Sequence, residues 1–402
     1  MKYFILLADG MIDHPLPGLD GKTPMMVGKT PAMDKLVKES ELGIIHTTPK
    51  GYGPGSDVCN LSILGYNPNE CYSGRSPLEA ASMKVDLKPD ETAFRCNLVT
   101  LSPGEDDIFM QDYSAGHIST EEATELINSL QEQLGDEKVH FYPGISYRHL
   151  LVIKDADEGL SLVPPHDISG QGIRKYVKTD KNHEFLNALM NSCQMILSNH
   201  PVNAKRLSEG KHPANSPWFW GQGKAPSMQT LEEKYGISGA MISAVDLLKG
   251  IGVYAGMDVV EVEGATGYID TNYAGKVEAS LNSIKEKDLV FVHLEGADET
   301  GHEGNVEGKI KSVENFDQLI VAPIVEEMNK RGDDYKIMIV SDHATPLELK
   351  THTDEPLPFM IWSSNNKKAA PVERFNEDVR TIKGIPVYEE GYKLMNHFLG
   401  RS

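Results

Sequence analysis

Four short apolar runs constrain this chain most: YFILL at 3–7, DVVEV at 258–262, LVFVHL at 289–294 and KIMIVS at 336–341. Each is too short for a helix of its own, and together they read as strands of a parallel sheet buried on both faces. Helical patterns lie between them. SGAMISAVDLLKGIG (238–252) sets apolar residues at i, i+3 and i+4 and ends in glycine, and GKIKSVENFDQLIVAPIVEEMNK (308–330) carries a long amphipathic period. Strand and helix alternating in this way predict an α/β fold whose sheet is covered on both faces.

The middle of the chain has a second series. FRCNLVTL (94–101), the helix STEEATELINSLQEQLG (119–135) opened by an S-x-x-E capping box, YRHLLVI (147–153) and the helix NHEFLNALMNSCQ (182–194) predict a smaller α+β unit. Turn-rich stretches, NPNECYSGRSP and SEGKHPANSPWFWGQGKAPS, flank it. With 402 residues the chain also exceeds what one hydrophobic core usually organises. The expected arrangement is a discontinuous core domain from 1–85 and 216–402, with an inserted domain over 86–215.

Charge and composition narrow the function. The 39 Lys and Arg residues against 59 Asp and Glu give a formal charge of −20, which would repel a phosphate backbone and excludes general nucleic-acid binding. No apolar run approaches the roughly 20 residues that cross a bilayer, so no membrane partner is expected. The N-terminal MKYFILLADG is too brief for a secretory apolar region. Cys59, Cys71, Cys96 and Cys193 form no Cys-x-x-Cys pair, which suits a reducing, cytoplasmic setting.

The chemistry gathers where strands end. Asp9 follows the first run, Asp298 and His302 follow the third, and Asp342, His343 and then His352 follow the fourth. In open α/β sheets the site lies at the carboxyl ends of the strands, so these loops should converge. Ser56, in GYGPGSDVCNLSILGY (51–66), has two readings. It either caps the helix that follows or joins the cluster as a nucleophile activated by a metal and by the helix N-terminus. Carboxylates with imidazoles accommodate manganese, zinc or iron, and a carboxylate-rich set also takes magnesium. Two such cations would activate an oxygen nucleophile and offset charge on a transferred phosphoryl group.

The blocks ADGMIDHP, GYGPGSDVCNLSILGY, DYSAGHISTEEA, FYPGISYRHLLV, PPHDISG, HPVNAKR, WFWGQGKAP, ISAVDLLKGIGVYAGMDVVEVEGATGYIDTNY, DETGHEG and SDHATP…THT occur in that order. Over nearly its full length the chain thereby resembles the archaeal-type, cofactor-independent phosphoglycerate mutases of the alkaline phosphatase superfamily. The resemblance implies an alkaline-phosphatase-like three-layer core with a mostly parallel sheet, plus a smaller α+β lid that closes over the site and excludes water. It implies that Ser56 is transiently phosphorylated, that Asp9, Ser56, Asp342 and His343 hold one divalent metal, and that Asp298, His302 and His352 hold another. Manganese is the expected ion, and no bisphosphoglycerate is needed. His117, Arg148, Arg174, Arg206 and Lys224 are the implied contacts to a small phosphorylated hydroxy acid, whose anionic groups suit planar guanidiniums. The implied reaction interconverts 2-phosphoglycerate and 3-phosphoglycerate through a phosphoserine. Two alternatives stand beside it: a homoserine kinase-like phosphotransferase of the same family, although the chain has no G-x-x-x-x-G-K-[ST] loop, and a phosphatase of the superfamily.

Overall fold

The computed structural model describes residues 1–401. Its strands, in chain order, are β1 (Lys2–Ala8), β2 (Ser40–Ile45), β3 (Glu91–Pro103), β4 (Ile108–Asp112), β5 (Val139–Ile145), β6 (Arg148–Lys154), β7 (Ser216–Gly223), β8 (Gly239–Ile242), β9 (Asp258–Val259), β10 (Leu289–Leu294), β11 (Tyr335–Val340), β12 (Leu357–Ser363) and β13 (Val387–Tyr388). The chain divides into two compact units, one formed by Met1–Tyr72 with the chain from Ser227 onward, the other by Ser73–Pro226. No helix among the described residues is long and apolar enough to cross a membrane.

The larger unit is built on an eight-stranded sheet in the order β13-β2-β12-β11-β1-β10-β8-β9. Its centre is parallel, with Leu6 of β1 level with Val292 of β10 and with Ile339 of β11. All three side chains are fully buried, as the unbroken apolar runs require of strands covered on both sides. Only β12 runs against its neighbours. This is a mixed α/β fold with a mostly parallel central sheet.

Three segments depart from expectation. The stretch 238–252 is not one helix: Gly239–Ile242 pairs with β10 as a strand, and the helix begins at Asp246. A four-residue apolar run fits either state, and here burial beside Leu289–Val292 decides. Of DVVEV only Asp258–Val259 pairs, because this is the sheet edge. The long helix over 308–330 is interrupted between Val306–Asn315 and Ala322–Arg331 by a π-helical turn, Phe316–Val321. Pro323 lacks the N–H that would continue the ladder, and the wider turn absorbs that loss.

In the smaller unit the five strands are antiparallel, with β3 between β6 and β7 along most of its length and beside β4 at its far end. Side chains of β3 alternate in role. Phe94, Cys96 and Leu98 enter a core with Leu126, Ile127 and Leu130 of the helix Thr120–Leu134 and with Leu189, Met190 and Cys193 of Glu184–Ser198. Ala93, on the opposite face, packs with Leu150, Val152 and Ala80. Ala80 belongs to the helix Arg75–Ser82, and β7 reaches Gly223, so the unit spans 73–226 and not the 86–215 expected. The expected capping box is half made. Ser119 Oγ accepts from Glu122 N at 3.3 Å, but the Glu122 carboxylate pairs with Arg206.

One buried ion pair ties together two loops of the larger unit. Lys309 Nζ lies 2.7 Å from Asp13 Oδ2, with both side chains wholly buried, and donates to Thr345 O at 2.7 Å. The Asp13 carboxylate also accepts from Leu347 N. The loop after β1 is thereby bound to the loop after β11. Removing one partner leaves an uncompensated buried charge, so Lys309→Met should lower unfolding free energy by about 3–5 kcal/mol in urea titrations. A loss below about 1 kcal/mol would give the pair no more weight than a surface contact.

Candidate two-metal active site

Asp9, Asp298, His302, Asp342, His343 and His352 lie just beyond the carboxyl ends of β1, β10 and β11, as parallel pairing of these strands dictates. Ser56 arrives from elsewhere, as the first residue of the helix Ser56–Ile63. The cap position is taken by Gly55, and the Ser56 side chain makes no capping bond. Its hydroxyl instead lies 3.1 Å from His343 Nε2. The same nitrogen is 3.4 Å from Asp9 Oδ1 and 3.4 Å from Asp342 Oδ2. Four side chains from three chain segments therefore meet at one point.

A second meeting point lies beside it. His302 Nε2 and His352 Nε2 are 2.9 Å apart, and each is 3.3 Å from an oxygen of Asp298. The imidazoles of His343 and His352 stack with centroids 3.6 Å apart, which brings the two points together. Backbone carbonyls set the tautomers: His302 Nδ1 donates to Lys350 O at 3.0 Å and His352 Nδ1 to Pro54 O at 2.8 Å. Both Nε2 atoms then face each other and Asp298, an arrangement that suits a cation between them.

Local contacts hold these groups. Gly10 has φ +60°, and a Cβ there would come within 2.8 Å of Asp298 and of the Thr345 hydroxyl, so only glycine fits the turn that brings its N–H to Asp342 Oδ1. Thr345 Oγ1 donates to Asp298 Oδ1 at 2.5 Å. Asn60 donates to Asp342 Oδ2 and to Ser56 O, at 3.0 and 2.8 Å. The Gly-rich approach is braced as well: Tyr72 donates to Asp57, and Pro54 O is held by His352.

Asp9 shows how the site is prepared. Its Oδ2 accepts from His293 Nε2 at 2.9 Å, and His293 Nδ1 accepts from Ser243 Oγ at 3.1 Å. Burial pushes His293 down to about 3, so the ring is neutral. Asp9 Oδ1 is buried without a hydrogen-bond partner. Burial, with Asp342 and Asp298 close by, holds the Asp9 carboxyl well above its ordinary range. Asp298 goes the other way: burial opposes its charge, but hydrogen bonds from His302 and His352 prevail and hold it well below. Asp298 in turn pushes His302 up to about 9. An orphaned Asp9 oxygen, converging imidazole nitrogens and a crowd of buried carboxylates fit divalent cations. Asp9, Asp342 and His343 form one group able to hold an ion, and Asp298, His343 and His352 another.

The five residues expected to contact substrate all belong to the smaller unit. Arg148 and Arg174 are exposed, Lys224 is half-buried, and His117 is exposed with its ring 6.2 Å from that of Tyr147. Arg206 departs from expectation. Its side chain is buried, and its three nitrogens donate to His212 O, Glu122 and Ala115 O. It holds the turn that carries His117, where Ala115, Gly116 and His117 all have positive φ. Sequence reasoning missed His293, Asn60, Thr345 and Ser243, since each acts through a partner remote in the chain. His293, inside LVFVHL, is the one a sequence signal could have found, being the lone polar residue of a buried strand.

Because His293 takes up Asp9 Oδ2 and leaves Oδ1 open to an ion, His293→Ala should weaken divalent-cation binding by ~10–100-fold in calorimetric titration with manganese as the probe, with the thermal transition still cooperative. Unchanged affinity would show that Asp9 needs no such anchor.

A family profile described as 2,3-bisphosphoglycerate-independent phosphoglycerate mutase matches residues 37–203. A Geobacter sulfurreducens protein named "Probable 2,3-bisphosphoglycerate-independent phosphoglycerate mutase" is 52% identical over 100% of both chains. A Methanosarcina acetivorans protein named 2,3-bisphosphoglycerate-independent phosphoglycerate mutase is 51% identical over 94% of each. Among solved structures, a Pyrococcus horikoshii protein superposes with TM-score 0.83 at 28% identity, over 100% of this chain and 98% of that one. The Thermoplasma acidophilum cofactor-independent phosphoglycerate mutase gives 0.66 at 25% identity, over 100% and 99%. With its strand-end carboxylates and imidazoles arranged around Ser56, this chain belongs to the 2,3-bisphosphoglycerate-independent phosphoglycerate mutase family.

Proposed function

We propose that the chain interconverts 2-phosphoglycerate and 3-phosphoglycerate through a phosphoserine at Ser56, with two divalent cations and no bisphosphoglycerate. The observation that carries this reading is the Ser56 hydroxyl 3.1 Å from His343 Nε2, on the atom that Asp9 and Asp342 also approach. Asp9, Ser56, Asp342 and His343 would hold one cation, and Asp298, His302 and His352 the other. When bound, the ions lower the pKa of the serine hydroxyl and offset the charge of the phosphoryl group. Carboxylates with imidazoles suit manganese, which we propose as the working ion.

Ser56 Oγ attacks phosphorus as the bond to the substrate oxygen breaks, and the proton that leaves the serine is matched by the one the glycerate oxygen takes up. The second half repeats this in reverse, with the neighbouring glycerate hydroxyl attacking phosphoserine. Glycerate must stay bound between the halves, or water takes the phosphoryl group. We assign that retention to the smaller unit acting as a lid, with His117, Arg148, Arg174 and Lys224 as substrate contacts and Arg206 acting through the His117 turn. The reading carries a cytoplasmic setting, in keeping with buried thiols at Cys59, Cys71, Cys96 and Cys193.

With 3-phosphoglycerate and manganese, and with bisphosphoglycerate left out, the protein should support an enolase-coupled assay. Ser56→Ala should abolish both that activity and the covalent phosphate detected by mass spectrometry. Activity in Ser56→Ala equal to wild type would refute the assignment, and phosphate release as fast as isomerisation would make the protein a phosphatase.

A further inference from the structure

Outside the cation-facing side chains, one carboxylate of the larger unit collects three partners from separate parts of the chain. Glu355 Oε1 accepts from Thr353 Oγ1 at 2.9 Å and lies 2.9 Å from His14 Nε2, while its Oε2 accepts from Arg380 Nη1 at 2.6 Å. These partners belong to the loop after β11, the loop after β1 and the short helical turn Glu377–Thr381. Burial opposes the charge on Glu355, but hydrogen bonds from Thr353, Arg380 and His14 prevail and hold its carboxyl below the ordinary range.

His352 is the ligand that most needs such support. Asp298 and His302 stand on the helix Gly296–Glu303, whose own backbone fixes them. His352 lies in the loop between β11 and β12, outside any helix or strand. Its ring is held by the bond from Nδ1 to Pro54 O. Its backbone is held through the next residue, since Thr353 N donates to Ala344 O at 3.0 Å while Thr353 Oγ1 reaches Glu355. Behind Glu355 the contacts run into the core. Arg380 Nε donates to Glu377 O at 3.3 Å, and the buried Glu377 carboxylate accepts from Asp13 N at 3.1 Å and from Thr23 Oγ1 at 2.7 Å. Asp13 is the partner of Lys309, so the clamp on the His352 loop ends on the buried ion pair.

A ligand on an unclamped loop must be ordered when an ion binds, and the entropy of ordering it weakens the site. A clamp made beforehand removes that cost, and supports of this kind alter metal affinity without touching the metal. We propose that Glu355 is a positioning residue: through Thr353 it sets where His352 stands, and thereby the affinity for the cation held by Asp298, His302 and His352, an inference that rests on the two-cation reading above.

Calorimetric titration of the metal-free protein with manganese should show two binding steps, one of which His352→Gln removes. Glu355→Ala should weaken that same step by ~10-fold and leave the other unchanged. Glu355→Gln, which keeps an oxygen for Thr353, should recover part of the loss. A purely structural role would instead lower the urea midpoint and leave both steps as they are. Weakening of both steps alike, or of neither, overturns the proposal. Should Glu355→Ala fail to fold, Arg380→Gln decides at a half-buried position, and it should weaken the His352 step alone. A wild-type protein that takes up a single cation overturns the two-cation reading alone; NMR of the metal-free, histidine-labelled protein then judges the clamp. The His352 Nδ1 signal should shift in Glu355→Ala, and an unchanged signal overturns the positioning role.

Discussion

Repulsion among three buried carboxylates is the constraint that the rest of the larger unit answers. Asp9, Asp298 and Asp342 are each at most 5% exposed, and parallel pairing of β1 with β10 and β11 forces their loops together. The unit has buried lysines that could neutralise them, yet uses these elsewhere. Lys309 is spent on Asp13, and Lys276 donates to the carbonyl of His293. Fixed ammonium groups would fill the site and inactivate it. Without a fixed ammonium partner in a dry setting, the carboxylates keep a strong attraction for exchangeable cations, while histidines pinned by Lys350 O and Pro54 O turn their Nε2 atoms toward the same point.

This explains which parts of the molecule were legible in the sequence. A buried parallel strand must be apolar throughout, so an acidic residue or histidine just past its end stands out, and Asp9, Asp298, Asp342 and His343 could be read directly. His293 sits inside such a strand and breaks the pattern, but its meaning depends on Asp9 and Ser243, 284 and 50 residues away. β8 was hidden for a related reason: only its place beside β10 separates a four-residue strand from the start of a helix.

Arginines in the smaller unit make the same point from opposite sides. Arg206 lies in an exposed-looking helical block and reads as a ligand contact, yet its nitrogens are consumed by Ala115 O, His212 O and Glu122. Holding Ala115, Gly116 and His117 in left-handed conformations costs energy, and Arg206 helps offset it together with Asp112, which accepts from Ser114 N and Gly116 N. Arg95 lies in FRCNLVTL, where it passes for an interruption in a strand, and only alternation along β3 shows that it faces away from the core.

The larger unit thus carries a negative charge around Asp9 that its own residues leave unmet. Within a protein of net charge −20, long-range attraction alone would not bring an anionic substrate to this site. Divalent cations at the carboxylates remove part of that barrier by turning the local field toward positive. Under the proposed reaction the phosphoryl group then meets favourable charge at the carboxylate site, and the metal-free protein should repel it. Metal loading is in that sense a condition for substrate binding as well as for phosphoryl transfer.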